Sequence, residues 1–528
     1  MSKKLHVVAG IPGTRVQKSL DSFVQYVADR HESPVSWVSV DEELRRAAEP
    51  YVQKFFGMPG SSLGPLLLPR PFLRQIWRKA FDAVWQRVER ALESQNVILT
   101  LHLCYFLHYT REFFVPLDVD VLKQKISKRA TAVITLIDDI YDCHQQLFAV
   151  GGRFNPPESP EAAVLALLMV LDWRSTEILL ADSLAAACQR PHFVFGVKHT
   201  FETFFDLLYA DKRKVYLSHP ISEPRRTLRN GDANSAREVV TEINQALSRL
   251  QSEVLVFEPT AIDELRFRPS DQDRRKPSGN LEPRWPFARD GRRMLYTPPE
   301  HSKNSFAFPV GWEEDRRAEI GHSSLLSELF EAVSSQINAR DHALVEQSQL
   351  LACYRPLFMG NASSGVTEEL LHMRRLIDPD VRRREDIGIV FSPESDRDDY
   401  PSRQLLKKFA AWRDDGLVAG DKGDFDRLLS DLREPGKVKE RTVLLEQGDS
   451  RALMAMCSRY NLTIASKSGG RLPDGTLGTT SEAHRDQNAG QLAAGVLELK
   501  RTYLDDLADD GFVKMFNNET AFFKALGC

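Results

Sequence analysis

Leu5-His6-Val7-Val8-Ala9-Gly10-Ile11-Pro12-Gly13-Thr14 is the stretch on which the fold turns. A short apolar run reaches a Gly/Pro turn, and an amphipathic stretch around Leu20-Phe23-Val24-Val27 follows. A strand with no polar face has to be covered on both sides, as the strands of a parallel sheet are. The same alternation returns at Val35 to Val40, Val97 to Leu101, Ala132 to Ile137 and Phe193 to Val197, with a long apolar helix from Glu161 to about Cys188. Strands rich in β-branched residues and separated by helical pattern predict an α/β fold, a parallel sheet with helices on both faces.

Asp211-Lys212-Arg213-Lys214 punctuates the chain, and a second β/α series begins. Strands are expected at Val215 to Ser218, Glu253 to Phe257, Leu350 to Tyr354, Ile387 to Phe391 and Phe512 to Phe516. Helices are expected at Ala236 to Leu250, Ser324 to Ile337 and from about Thr367, with Asn518 capping the last one. The reading is two three-layer parallel-sheet domains, 1–211 and 212–528, the second carrying insertions near 266–310 and 395–500. Between Arg266 and Arg293, nine Lys/Arg stand against four Asp/Glu, a solvated surface insertion before a phosphate-binding arm. A Gly-rich loop runs from Ser466 to Gly478.

Composition sets the frame for these domains. The chain has 528 residues, 42% hydrophobic and 27% charged, with a formal charge of −4. These values suit a folded chain with a sizeable core; they exclude disorder throughout and argue against a uniformly basic nucleic-acid binder. The longest apolar run, Ala162 to Leu171, is far short of the roughly 20 residues a bilayer span needs, so no membrane partner is expected. No secretory signal is read at the N-terminus, and six scattered cysteines form no CxxC pair, so a reducing cytoplasm is the expected compartment.

The first turn begins like a phosphate loop, in which backbone N–H groups at a helix N-terminus wrap an anion, a Lys meets the β/γ-phosphates and a Ser/Thr meets Mg²⁺. Gly10, Gly13, Thr14, Arg15, Lys18 and Ser19 are the candidate nucleotide-binding residues. The expected Gly-Lys-Ser/Thr positions hold Arg15, Val16 and Gln17 instead, and Lys18-Ser19 comes two residues late. Together with Leu99-Thr100-Leu101-His102, Phe114-Val115-Pro116 and Ile134-Thr135-Leu136-Ile137-Asp138, this order of elements resembles the adenylate-kinase-like branch of P-loop NTPases. The resemblance implies ATP or another nucleotide with Mg²⁺ as ligand. The missing lysine leaves three readings: a degenerate domain for nucleotide sensing or assembly, an active variant using Arg15 or Lys18, or a structural turn alone. Asp138-Asp139 reads as a solvated strand end before a Mg²⁺ pair, and His102 and His108 as polar residues rather than metal ligands.

In the second half, Arg340-Asp341-His342 precedes the strand Leu350 to Tyr354, which leads to Asn361-Ala362-Ser363-Ser364-Gly365-Val366-Thr367-Glu368-Glu369. Asp341 reads as the head of a helix, and Glu369 as a carboxylate in the first turn of another helix beyond a small-residue loop. Loops at the carboxyl ends of parallel strands form the ligand crevice of such folds.

This passage resembles the nucleoside 2-deoxyribosyltransferases and their relatives, the 2'-deoxynucleoside 5'-phosphate N-hydrolases. In that family a Glu four residues after a loop Gly is the nucleophile, a spacing that Gly365 and Glu369 share. An Asp in an R/N-D pair assists it, matched by Asp341, and the first strand, typically Tyr-Leu-Ala-Gly-Pro, is matched by Tyr216-Leu217-Ser218-His219-Pro220-Ile221. The resemblance implies Glu369 and Asp341 as catalytic residues, and Tyr216, His219, Pro220, Ile221, Ser363, Ser364 and Gly365 around the substrate. Ser363, where the transferases carry Asp and the hydrolases a phosphate-binding Ser, favours a phosphorylated nucleotide and water as acceptor.

The expected activity is therefore hydrolysis of the base–sugar bond of (deoxy)nucleoside 5'-monophosphates, with no metal or cofactor required for the glycosidase. Glu368 is the alternative nucleophile if the helix register differs. The rival readings are an NAD glycohydrolase, a non-catalytic nucleotide-sensing scaffold and a nucleotide kinase. A homo-oligomer is expected, with a partner protein as the alternative, and a regulatory first domain that binds a nucleotide or that partner; the pairing of two such modules suggests antiviral defence by fold-level analogy. Arg374-Arg375 and Arg382-Arg383-Arg384 read first as a solvated face and second as an interface or phosphate-steering patch, and His484-Arg485-Asp486 has no identified partner.

Overall fold

The computed structural model describes residues 3–32, 34–57, 64–107, 110–148, 154–155, 157, 160–221, 224, 233–262, 267–268, 280–281, 324–376, 388–433, 439–464, 482–497, 499 and 502–528. The basic stretch 266–293, apart from two short strands, the loop 466–478, His108 and Arg382–Arg384 lie outside the described residues, as does the side chain of His484.

The strands in chain order are β1 (Leu5–Ala9), β2 (Val35–Ser39), β3 (Asn96–Thr100), β4 (Tyr105–Leu107), β5 (Glu112–Phe114), β6 (Ala130–Ile137), β7 (His192–Gly196), β8 (Lys214–Ser218), β9 (Leu255–Phe257), β10 (Phe267–Arg268), β11 (Asn280–Leu281), β12 (Leu350–Tyr354), β13 (Gly388–Phe391), β14 (Val418–Ala419), β15 (Thr463–Ile464) and β16 (Val513–Phe516). Two five-stranded sheets have the orders β2-β3-β1-β6-β7 and β16-β13-β12-β8-β9, and β4-β5, β10-β11 and β14-β15 are small antiparallel pairs.

The chain divides into two compact units that are not consecutive in sequence. Met1–Tyr216 with Asn244–Gln349 make one; Leu217–Ile243 with Leu350–Cys528 make the other. The sequence reading, by contrast, divides the chain once, between 211 and 212.

In the first unit β1 pairs in parallel with β3 and β6, Val7 standing opposite Leu99 on one side and Val133 on the other. The apolar strands are covered on one side by helices whose buried residues recur at helical spacing. Trp77, Phe81, Val84 and Val88 line one stripe of the helix Arg70–Ala91, and Leu44, Ala48 and Val52 line the helix Val40–Phe56. Each such side chain contributes about 1.5–3 kcal/mol when fully buried. A separate cluster joins Ile140 and Tyr141 with Leu167, Trp173 and Val333. The hairpin β4-β5 has no counterpart in the sequence reading.

Asp341 does not head a helix. The helix runs continuously over Ser324–Glu346, and Asp341 lies inside it. A break after Ile337 is expected where apolar spacing fades, yet no helix-ending Gly or Pro occurs there, so the hydrogen-bonded ladder continues to Glu346.

The second unit holds the end of β8 and strands β12, β13 and β16, with parallel register Tyr354↔Phe391 and Phe391↔Phe516. Residues 394–497, the region hardest to read, contain five described helices that share a core of their own, including Phe409, Trp412, Leu428, Leu453 and Ala493. The helix Glu394–Asp414 meets the turn after β12 backbone to backbone. Gly360 has φ +71°, and a Cβ there would lie 2.6 Å from the carbonyl carbon and oxygen of Asp399. Gly360→Ala is expected to cost about 2–4 kcal/mol, strain plus overlap. Gly416→Ala, at φ +68° with nothing within 4 Å, should cost only about 1–2 kcal/mol. Chemical denaturation of the two variants checks the contrast; equal losses would remove the close approach as the cause.

Candidate active site

The second unit's site is built at the carboxyl ends of β8 and β12, where the strand order reverses. In the order β16-β13-β12-β8-β9 the chain places β9 on one side of β8 and β12 on the other, the kind of switch point at which α/β sheets commonly bind ligands. From β12 the chain passes through Arg355, in the left-handed region at φ 54°. Arg355 is held there by Asp396, at 2.9 Å and 2.8 Å through Nε and Nη2, and by Glu242 at 2.5 Å through Nη1. The Ser363 N–H donates to the Pro356 carbonyl, and the Thr367 N–H and hydroxyl both return to the Ser363 carbonyl, which starts the helix Ser364–Leu376.

Glu369 falls in the second turn of that helix rather than the first, because the helix begins at Ser364. Its inward stripe is Val366, Glu369, Leu370 and Met373, so a carboxylate occupies a position that spacing reserves for the core. Glu369 is 6% exposed and Glu368 is exposed, which separates the two adjacent acids. The fully buried Ser218 hydroxyl, at the end of β8, donates to Glu369 Oε2. Cys353 of β12 adjoins both: burial pushes its thiol well above the usual range, the Glu369 charge adds to this, and a hydrogen bond with Ser218 opposes it. Burial also raises the Tyr503 phenol, and Glu369 is among the groups whose charge contributes.

Among the residues expected around the substrate, His219 and Pro220 are buried and Ile221 is half-buried. Ser363 is half-buried, and Ser364 and Gly365 are exposed at the helix start, a Cβ at Gly365 meeting nothing within 4 Å. Tyr216 and Asp341 belong to the first unit. Tyr216 is fully buried; Asp341 Oδ1 accepts from Arg340 at 3.0 Å and 2.8 Å, while Arg340 also donates to the Ile262 carbonyl at 2.7 Å. Arg374 is exposed, paired with Asp510 at 2.7 Å and lying over the Phe512 ring.

The first unit has a cavity of about 260 Å³ at the carboxyl ends of β1 and β3. Gly10, Pro12, Arg15, Val16, Gln17, Asp41, Arg45, His102 and Tyr105 are among its lining residues. Asp41 accepts from the Tyr105 hydroxyl and from the His102 backbone N–H at 3.1 Å, and the His102 ring bonds the Gly10 carbonyl.

The glycine-rich turn itself is filled by the protein. The Thr14 hydroxyl donates to the Ile11 carbonyl at 2.7 Å, Thr14 and Ser19 are buried, Lys18 is exposed, and a Cβ at Gly13 would lie 2.9 Å from the Cys143 backbone. Arg15, at φ 51°, bonds Gln146.

The strand end Asp138-Asp139 is buried, not solvated. With Asp142 it forms, among the described residues, a group of three carboxylates whose oxygens lie within 4.8 Å of one another. The Lys198 ammonium reaches all three, at 3.4 Å, 2.5 Å and 2.8 Å. Arg174, also buried, donates to the Asp138 carbonyl at 3.2 Å. The sequence reading missed Lys198 because it follows β7, remote in sequence from its partners. With Val16 in place of the phosphate-loop lysine, Thr14 turned inward and the acids holding Lys198, these residues do not fit a Mg²⁺–triphosphate in the phosphate-loop manner.

Burial drives the Asp138 carboxyl up to about 8, against the opposing pull of Lys198. A carboxyl raised on folding binds its proton more tightly in the native state, so stability falls as pH rises from about 4 towards 8 and levels off above. Asp138→Asn removes that titration. Its stability profile should be flatter between pH 5 and 8 than that of the parent, as thermal melts across this range would register; parallel profiles would count against Asp138 as the titrating group.

No protein-family model matches the chain, and no curated protein matches it in sequence.

Proposed function

We propose that the second unit is an N-glycosidase acting on (deoxy)nucleoside 5'-monophosphates, with Glu369 as nucleophile. The observation that carries this reading is a buried carboxylate on the core face of a helix, held by a hydroxyl at the switch point of a parallel sheet. Burying a carboxylate is costly unless it is paired or hydrogen-bonded, and cores do not place one there without compensation.

In the proposed reaction a Glu369 oxygen attacks C1' of the sugar. The C1'–N bond breaks, its electron pair leaves with the base, and the base takes a proton from water. A second water cleaves the glycosyl ester, returning the Glu369 carboxylate and releasing the sugar phosphate. Ser364 and Gly365 are exposed and begin a helix, whose first N–H groups, with the Ser363 and Ser364 hydroxyls, suit a 5'-phosphate. Asp341, engaged by Arg340, is assigned no step.

For the first unit we propose nucleotide binding in the cavity beside the glycine turn, without phosphoryl transfer. The strand order β2-β3-β1-β6-β7 and the Arg15 and Arg45 side chains on the cavity wall support this reading.

Incubation with the four deoxynucleoside monophosphates, with and without ATP, and with NAD, followed by chromatography, tests the enzyme reading. Free base from a monophosphate is expected. Nicotinamide release instead would favour an NAD glycohydrolase, transfer of phosphate from ATP a kinase, and nucleotide binding without any product a sensing scaffold.

A further inference from the structure

We propose that Ser218 is the positioning residue for Glu369, fixing the plane of its carboxylate and holding it in the anionic form that attacks. This rests on the glycosidase reading and adds to it a residue with a defined task.

Ser218 Oγ carries one proton and, among the described residues, meets the Glu369 carboxylate and the Cys353 thiol. An ionised carboxylate only accepts, and a thiol that stays protonated at neutral pH has its own hydrogen to give. The single Ser218 proton therefore goes to Glu369 Oε2, and the Ser218 oxygen remains available to Cys353. A donor committed to the charged form favours that form. Ser218 and Cys353 are fully buried, so on the sheet side of the carboxylate water does not readily take the place of a lost Ser218 hydroxyl.

The hydrogen bond also crosses between elements. Ser218 ends β8, while Glu369 lies on the helix that follows β12, so the bond ties the nucleophile to the sheet rather than to its own helix. A bond to a second rigid element restricts the side chain in a way that helix packing alone does not. Among the described residues, the titratable groups near Glu369 include Cys353 from β12, Tyr503 from the helix Tyr503–Asp509, and Glu368 and His372 on its own helix.

The test compares Ser218→Ala and Ser218→Thr with the parent chain of 528 residues, using the deoxynucleoside monophosphate that turns over best. Ser218→Ala should lower kcat about 10- to 100-fold with KM within about twofold, and move the acid limb of the kcat/KM profile upward by about one pH unit. Ser218→Thr, which keeps the hydroxyl, should restore most of kcat and return the limb. A thermal melt establishes that each variant folds.

The Glu369 carboxyl is followed in parallel by NMR of chain labelled with ¹³C at glutamate, its resonance assigned by loss in Glu369→Gln. It should titrate at higher pH in Ser218→Ala than in the parent, whether or not any substrate turns over. An unchanged titration in a folded Ser218→Ala overturns the proposal even if the parent is an active glycosidase. A shifted titration with no base release from the parent would leave the Ser218–Glu369 coupling standing and remove the glycosidase reading.

Discussion

Glu369→Gln is expected to lower base release by on the order of 10³-fold or more, while the protein remains folded. Glutamine has nearly the shape of glutamate, and its carbonyl oxygen still accepts the Ser218 hydroxyl. An amide, however, lacks the charge that makes a carboxylate a nucleophile at an anomeric carbon. Stability should not suffer: removing a buried charge also removes its desolvation cost. Single-turnover measurements with a deoxynucleoside monophosphate read the loss directly, and mass spectrometry of quenched parent enzyme should find the glycosyl adduct on the peptide holding Glu369. Base release within about tenfold of the parent would remove Glu369 from the nucleophile's role.

Lys198→Met should produce the largest loss of stability, about 3–5 kcal/mol. The ammonium is 2.5–3.4 Å from three carboxylates that are themselves buried. Methionine keeps most of the side chain's length and volume, so packing is nearly conserved and the loss isolates charge. The three acids would then lose the ammonium that all of them share. Their mutual repulsion should favour proton uptake, making the variant's deficit smaller at low pH than at pH 8. Urea unfolding at pH 5 and pH 8 measures both effects. A loss below about 1 kcal/mol at pH 8 would mean that the cluster carries much less charge than its composition suggests.

The strands were legible because their sequences are apolar on both faces, and only a covered parallel sheet uses such runs. Thus Leu350 to Tyr354 is read with the bounds it has, and β1 likewise. The buried acids were not legible. Asp138-Asp139 at a strand end looks solvated by composition, and what makes it otherwise is Lys198, brought in by β7 pairing with β6.

The glycine turn was legible as a turn but not in its filling. Gly13 answers to the Cys143 backbone and Thr14 to Ile11, contacts that no local pattern signals. Glu369 was found through spacing to Gly365, whereas its burial depends on the helix starting at Ser364. Ser218 could have been found: it shares a face of β8 with Tyr216, the period-2 neighbour that was singled out.

The helices between 394 and 497 interrupt a parallel pair: β13 precedes them, β16 follows them, and the two strands are hydrogen-bonded neighbours. That side of β13 therefore waits for β16, a non-local pairing of the kind that slows folding. Because the inserted helices possess their own core, they can collapse first as a cooperative unit and shorten the effective loop that β16 has to close. During synthesis on the ribosome, that edge of β13 would stay unpaired until β16 has emerged, and the inserted helices, made earlier, would already be in place when it is capped.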